Sequence, residues 1–241
     1  MELNKTIAYK FLKTTTLSYE KLGLRPFFIS PAPPFKEYPD SPKIKLIIDE
    51  FPQTLNFFEI LKNRRSERKY RKKEISLKEI SLLCFAIQGI TGKISFYLLR
   101  TAPSAGALYP VETYLAVNFA KDIQPGIYHL EIKDFSLALL REGYWGNLLS
   151  DLALGQKFFA TASLVFIWSA VFRRTLSKYG ERGLRYVFID VGHICQNLLL
   201  AAEALNLKAC PVGAFFDEEL NKFLGLNSEE ESVIYMATVG K

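Results

Sequence analysis

The sequence predicts an α+β fold, helices packed on a mainly antiparallel sheet, and three observations carry that prediction. Strand-like and helix-like segments follow one another without the regular alternation that a parallel, doubly wound sheet requires. Two apolar runs, Gly126–Leu130 and Leu137–Leu140, are joined by Glu131–Ser136 and read as a hairpin. Neither a GxGxxG motif after a strand nor a P-loop is present, which argues against a Rossmann-type nucleotide cradle.

The elements follow in chain order. Residues 1–53 read as an N-terminal extension ahead of a domain spanning 54–241. The extension contains an arm, Ser30–Pro42, with prolines at 31, 33, 34, 39 and 42; these exclude regular helix and favour extended chain. Leu55, Phe58 and Leu61 have the spacing of a short helix over Thr54–Lys62. Ser76 followed by Glu79 is a capping-box pattern that opens a helix over Leu77–Gln88, with Gly89 as its stop. Thr113–Asn118 and the hairpin supply strands, Tyr144–Leu154 a helix ended by Gly155, and Ser163–Phe172 a buried strand. Arg185–Leu207 is the longest helical pattern. It is apolar nearly all round, as befits a core helix or one at a large subunit interface. Asp217 is expected to cap Glu218–Leu224, which Gly225 ends, and Ser232–Val239 forms a last strand.

Composition bounds the function. With 241 residues, 49% of them apolar and 14% aromatic, the chain can bury one sizeable core. The most apolar run, Ala162–Phe172, is too short for a bilayer, and the N-terminus lacks a signal-peptide pattern, so a soluble cytoplasmic protein is expected. Three widely spaced cysteines, Cys84, Cys195 and Cys210, with no CxxC, argue against a disulfide framework. His129 and His193 have no ligand-spaced partners, so no metal site is expected. The net charge of +6 suits an anionic ligand. Much of it lies in Lys62–Lys73, which holds eight basic residues and one acid. That run reads as a solvated surface or a phosphate clamp rather than a nucleic-acid patch, since no recognition motif accompanies it.

The most informative segment is Arg100–Glu112, RTAPSAGALYPVE. Small residues let its backbone approach a ligand closely, while Pro103 and Pro110 stiffen it. This string resembles the signature loop of the SagB-type dehydrogenases, a branch of the flavin-dependent nitroreductase family. Three further segments match that family in the same order: Arg64-Arg65-Ser66-Glu67-Arg68, similar to its RRSxR segment; Ser177–Tyr186, similar to the KYxxR segment of SagB-type proteins; and Asp190–Leu207 with Pro211-Val212-Gly213-Ala214-Phe215, similar to its central helix and PVGAF turn. The resemblance covers about Thr54–Lys241.

The resemblance implies an FMN-dependent oxidoreductase of the nitroreductase fold, an intertwined homodimer with FMN at the subunit interface. Arg64, Arg65, Ser66 and Arg68 would hold the phosphate and ribityl chain, as guanidinium forks and a hydroxyl suit phosphate oxygens. Pro103, Ser104, Ala105, Gly106 and Leu108 would lie against the flavin, often that of the other subunit. Gly213 and Ala214 would approach it near N5, and Lys241 would add a phosphate contact. Lys178 and Tyr179 would be catalytic, removing a proton while the flavin accepts a hydride through N5; an adjacent ammonium favours the phenolate such a base needs. His193 reads as a buried histidine with satisfied hydrogen bonds or as a catalytic group, and Gln196 and Asn197 as caps or bridges of core polar groups. The resemblance implies a small-molecule or peptide substrate, such as a peptide-derived azoline or related C–N bond. Two alternatives stay open: an NAD(P)H-dependent nitro or quinone reductase, and a non-catalytic flavin-binding scaffold subunit of a biosynthetic complex.

Overall fold

The computed structural model describes residues 2–19, 29–95 and 97–241. Its framework is a seven-stranded sheet in the order β1 (Lys43–Lys45), β6 (Ser136–Glu142), β5 (Gly126–Glu131), β4 (Val111–Val117), β7 (Leu164–Val171), β9 (Glu231–Gly240), β8 (Lys208–Val212). Every neighbouring pair is antiparallel. This is the predicted α+β architecture with helices on both faces of the sheet.

Alternation along the central strands divides the core in two. Phe166 and Trp168 of β7 pack on one side with Leu115 and Val117 of β4. That side is covered by α3 (Leu77–Gln88), through Ile80, Leu83 and Ile87, and by α6 (Gly183–Ala204), through Val191, Ile194 and Leu198. Val165, Ile167 and Tyr114 face the opposite way, beneath Leu149 of α4 (Gly146–Leu152) and Leu220 of α7 (Asp217–Leu224). The capping box forms as the sequence predicts: Glu79 N donates to Ser76 Oγ at 3.2 Å, and Ser76 N to the Glu79 carboxylate at 2.7 Å.

Several elements differ from expectation. Helix α1 (Ile7–Thr14), the hairpin β2–β3 (Ile90–Ile94 and Tyr97–Arg100) and the edge strands β1 and β8 were not anticipated. The short helix after residue 54 is α2 (Phe57–Asn63), capped by Asn56. Asp217 is the first residue of α7 rather than its cap; Phe216 holds the cap position with no side-chain bond. The Pro-rich arm is extended and docked: Lys36 Nζ donates to Tyr114 Oη at 2.7 Å and pairs with Glu231 Oε2 at 2.6 Å, while β1 joins the sheet beside β6. After β7 the chain forms a second unanticipated helix, α5 (Phe172–Tyr179), and the turn Gly180–Arg182 before α6. Together Phe172–Ala204 has the length and composition of a membrane span. That differs from the expectation, but the stretch breaks at Gly180, where φ is +57°, and packs Val187, Val191, Ile194 and Leu198 into the core.

Candidate functional site

The loop after β3 is built on left-handed backbone. Gly106, Ala107 and Tyr109 have φ of +63°, +54° and +45°. Such conformations cost energy for non-glycine residues and persist only where surrounding contacts impose them.

One face of α5 imposes them. The β4–β7 ladder pairs Val111 with Ala170 and is continued by Val171 N donating to Pro110 O at 2.8 Å. Arg174 then donates to Tyr109 O at 3.1 Å. One turn further on, Lys178 and Tyr179 reach Gly106: a Cβ placed there would stand 2.6 Å from Tyr179 Oη and 2.8 Å from Lys178 Nζ. The structure therefore brings together two separately predicted groups, the small-residue loop and the Lys-Tyr pair. Tyr179 packs edge-on against Tyr186 at 5.0 Å, and Tyr186 Oη accepts from Arg182 Nε at 2.8 Å.

The other end of the loop is tied to α6. Ser104 Oγ donates to Asp190 Oδ2 at 2.6 Å and accepts from Tyr109 N at 2.9 Å; Ala105 N lies 3.4 Å from Asp190 Oδ1. Burial raises the Asp190 carboxyl above the ordinary range, opposed by those two bonds and by His193. Pro103 and Gly106 are exposed; Ser104, Ala105 and Leu108 are half-buried.

Beneath the loop lies a buried ionic cluster. Arg174 pairs with Glu112 Oε1 at 2.6 Å and Glu112 Oε2 meets His129 Nε2 at 2.9 Å. Burial alone would raise the Glu112 carboxyl, but Arg174 first and His129 next overcome it and hold it down at about 2. Arg100, also buried, lies 4.3 Å over the Tyr109 ring and bonds Gln88. Burial lowers its guanidinium to about 10.

The predicted phosphate residues form a second group. Glu67 N donates to Ala209 O at 2.9 Å, and Ser66 bridges the same residue of β8. Arg64–Arg68 thus runs beside the strand that ends at Val212, just before Gly213 and Ala214, both exposed. Among the described residues Arg65 bonds only the carbonyls of Lys62 and Arg64, and Arg68 lies 6.0 Å over Phe158. No Arg64, Arg65 or Arg68 ion pair occurs among the described residues, so these guanidinium groups, on a half-buried Arg64 and on exposed Arg65 and Arg68, keep donors for an anion. Among the described residues nothing crowds Gly213: a Cβ there would meet Tyr235 no closer than 3.8 Å. These features fit a phosphate-bearing cofactor lying over bare backbone. Lys241 is placed elsewhere, pairing with Glu79 Oε1 at 2.9 Å and donating to Glu74 O at 3.1 Å.

The two groups sit on opposite halves of α6. The loop meets it at Asp190, whereas Arg64 and Arg65 share a groove with Leu199 and Glu203. At 1.5 Å per residue, these positions lie roughly 14–20 Å apart along the axis.

His193 is exposed on α6, which corrects its reading as a buried histidine. Gln196 is exposed, whereas Asn197 does bridge, donating to Ala86 O of α3 at 2.9 Å. Sequence reasoning missed Asp190 as the loop's anchor, and Arg174, Glu112 and Arg100 altogether. Glu112 at the start of an apolar strand was the one available signal, since a buried carboxylate there requires a partner.

Residues 61–241 match the family model described as the nitroreductase family. Among relatives, MJ1384 of Methanocaldococcus jannaschii, named as a candidate nitroreductase, is 37% identical over 183 residues, 76% of this chain and 89% of that protein. The microcin B17-processing protein McbC of Escherichia coli is 28% identical over 138 residues, 53% of this chain and 49% of that protein. Among solved structures, a nitroreductase candidate from Anabaena variabilis has a TM-score of 0.78 at 27% identity, covering 96% of this chain and 46% of that one. The E. coli microcin synthetase complex McbBCD with truncated pro-MccB17 bound gives 0.64 at 21%, covering 98% and 91%. A nitroreductase candidate from Desulfovibrio desulfuricans in complex with FMN gives 0.56 at 16%, covering 78% and 87%. This chain spans about half the length of the microcin B17 relative and of the Anabaena chain.

Proposed function

Since the chain belongs to the nitroreductase family, we propose that it is an FMN-dependent oxidoreductase of the SagB type that oxidises a peptide-derived azoline or a related C–N substrate. The observation that carries this reading is the convergence of Lys178 Nζ and Tyr179 Oη on Gly106, within 2.8 Å and 2.6 Å of where its Cβ would stand. A proton-accepting pair placed against a loop of bare backbone is what dehydrogenation beside a ring nitrogen requires.

When bound, FMN supplies a two-electron sink that takes hydride at N5. Arg64, Arg65, Ser66 and Arg68 would hold its phosphate and ribityl chain, and the backbone at Gly213 and Ala214 would lie against its ring. Pro103, Ser104, Ala105, Gly106 and Leu108 would form the facing wall. Lys241, engaged by Glu79, could reach a phosphate only by exchanging that partner. To accept the substrate proton Tyr179 Oη would act as the phenolate, which the Lys178 ammonium favours, and proton transfer would leave the neutral phenol while the neighbouring C–H bond gives up its hydride. Asp190 keeps the loop in place through Ser104 and Ala105.

A homodimer completes the site in this reading. Two features support it: the loop and the phosphate group occupy opposite halves of α6, and α6 exposes Phe188 and Ile189 at 49% and 53%. A cytoplasmic setting accords with the reducing conditions under which three free cysteines persist. The McbBCD neighbour, a complex with truncated pro-MccB17 bound, supports a peptide substrate and partner proteins.

With a thiazoline-containing dipeptide as probe, Tyr179→Phe should slow oxidation by about 100–10,000-fold while bound FMN is retained. Equal rates for the two proteins would sink the proposal. The 37% identity to a relative named as a candidate nitroreductase favours a second reading, an NAD(P)H-dependent reductase of nitro compounds or quinones. It predicts nitroaromatic reduction by NADPH that Tyr179→Phe leaves unchanged.

A further inference from the structure

We infer that Arg174 is the positioning residue for the Lys178–Tyr179 pair: it locks α5 in register along the small-residue loop and ties that register to the Pro-rich arm. The inference rests on the catalytic reading of the pair for its functional consequence, but its structural content stands alone.

Arg174 is only 4% exposed and uses its guanidinium in three directions. Nε donates to Pro33 O at 2.6 Å, Nη1 donates to Tyr109 O at 3.1 Å, and Nη1 also pairs with Glu112 Oε1 at 2.6 Å. These partners belong to the arm, the loop and β4. On α5, residues 174 and 178 are four apart and so share a face. Whatever fixes Arg174 at Tyr109 fixes where Lys178 and Tyr179 meet Gly106. No carboxylate among the described residues pairs with Lys178, and the Lys178–Tyr179 contact is a cation over a ring at 5.4 Å, so apart from the packing of Tyr179 on Tyr186 the pair depends on the helix for its place.

The arm is fixed independently at its far end. Lys36 lies between Tyr114 Oη and Glu231, which also accepts from Ser169 Oγ at 2.5 Å, and Tyr38 N donates to Glu131 Oε1 at 2.7 Å. Pro33 therefore offers its carbonyl from a chain segment that is already held, with φ restricted by its own ring. A lysine at 174 could still neutralise Glu112, but it is a point charge on a flexible stem and cannot reproduce the fork that spans Pro33 O and Tyr109 O. Charge neutralisation and positioning can thus be separated.

The test places 3-fluorotyrosine at position 179 of the full chain and records its 19F spectrum in three proteins. These are the parent, R174K, and the double variant Glu112→Gln/Arg174→Gln, which removes both members of the buried ion pair together. The expected result is one narrow line in the parent and a shifted or split line in either variant whose melting curve shows it folded. With the thiazoline dipeptide, R174K should lose about 10–100-fold in kcat with KM unchanged within about twofold, as misplacement of a reacting group predicts. An unchanged 19F line in a folded variant would overturn the inference, as would full kcat in R174K. If the parent does not oxidise the dipeptide, the proposed function fails while the 19F comparison still decides the positioning role.

Discussion

Gly106→Ala is expected to reduce turnover of the thiazoline probe by about 100-fold, with the fold retained. Two effects compete at this residue. Its φ of +63° penalises a side chain by about 1–2 kcal/mol. The added Cβ would also stand 2.6 Å from Tyr179 Oη and 2.8 Å from Lys178 Nζ, far inside contact distance. Both clashing atoms are the ends of flexible side chains, so they give way more easily than backbone would. Stability consequently loses little beyond the conformational penalty, whereas the two groups proposed to do the chemistry are driven off their positions. A thermal melt lowered by a few degrees together with collapsed turnover is the expected pattern. Preserved turnover would show that the approach of the pair to Gly106 is incidental.

Glu112→Leu should destabilise the protein by about 3–5 kcal/mol, because it leaves Arg174 buried without its carboxylate. For a chain of this length that corresponds to a melting point lower by about 6–20 °C. The same cluster predicts acid sensitivity. Glu112 titrates at about 2 in the folded protein, below the ordinary value near 4.3 for an unfolded chain. Its contribution is therefore fully present above about pH 4.3 and is lost as pH falls from there through about 2. The Glu112→Gln/Arg174→Gln double variant should show a flatter melting-point profile across that window. A parallel profile in parent and double variant would remove Glu112 from the account.

What the sequence made legible, and what it hid, follows the range of the interactions. The Ser76–Glu79 capping box is complete within three residues, and the small-residue loop announces itself by composition, so both were readable. The partners that hold the loop lie far off in the chain: Ser104 and Asp190 are 86 residues apart, Tyr109 and Arg174 are 65. Arg174 sits in an amphipathic, basic segment that looks like a solvated face, and only the fold reveals that it is buried. Strands β1 and β8 escaped notice because edge strands of three and five residues carry little alternation, and Pro211 within β8 disguises it further. His193 was misplaced because α6 is apolar nearly all round; the pattern did not distinguish its covered stripe from the exposed side where Phe188, Ile189 and His193 lie. Segments whose chemistry is local were legible, which is why Lys178, Tyr179 and Gly106 stand out in the sequence and the residues that hold them do not.

The most direct test of the central claim is the absorbance spectrum of the purified protein, followed by release and identification of its cofactor. The account predicts a yellow protein that yields FMN at one per chain, or takes it up when FMN is added. A colourless protein that refuses added FMN would contradict it, because the guanidinium groups of Arg64, Arg65 and Arg68 and the open backbone at Gly213 would then have to serve another ligand.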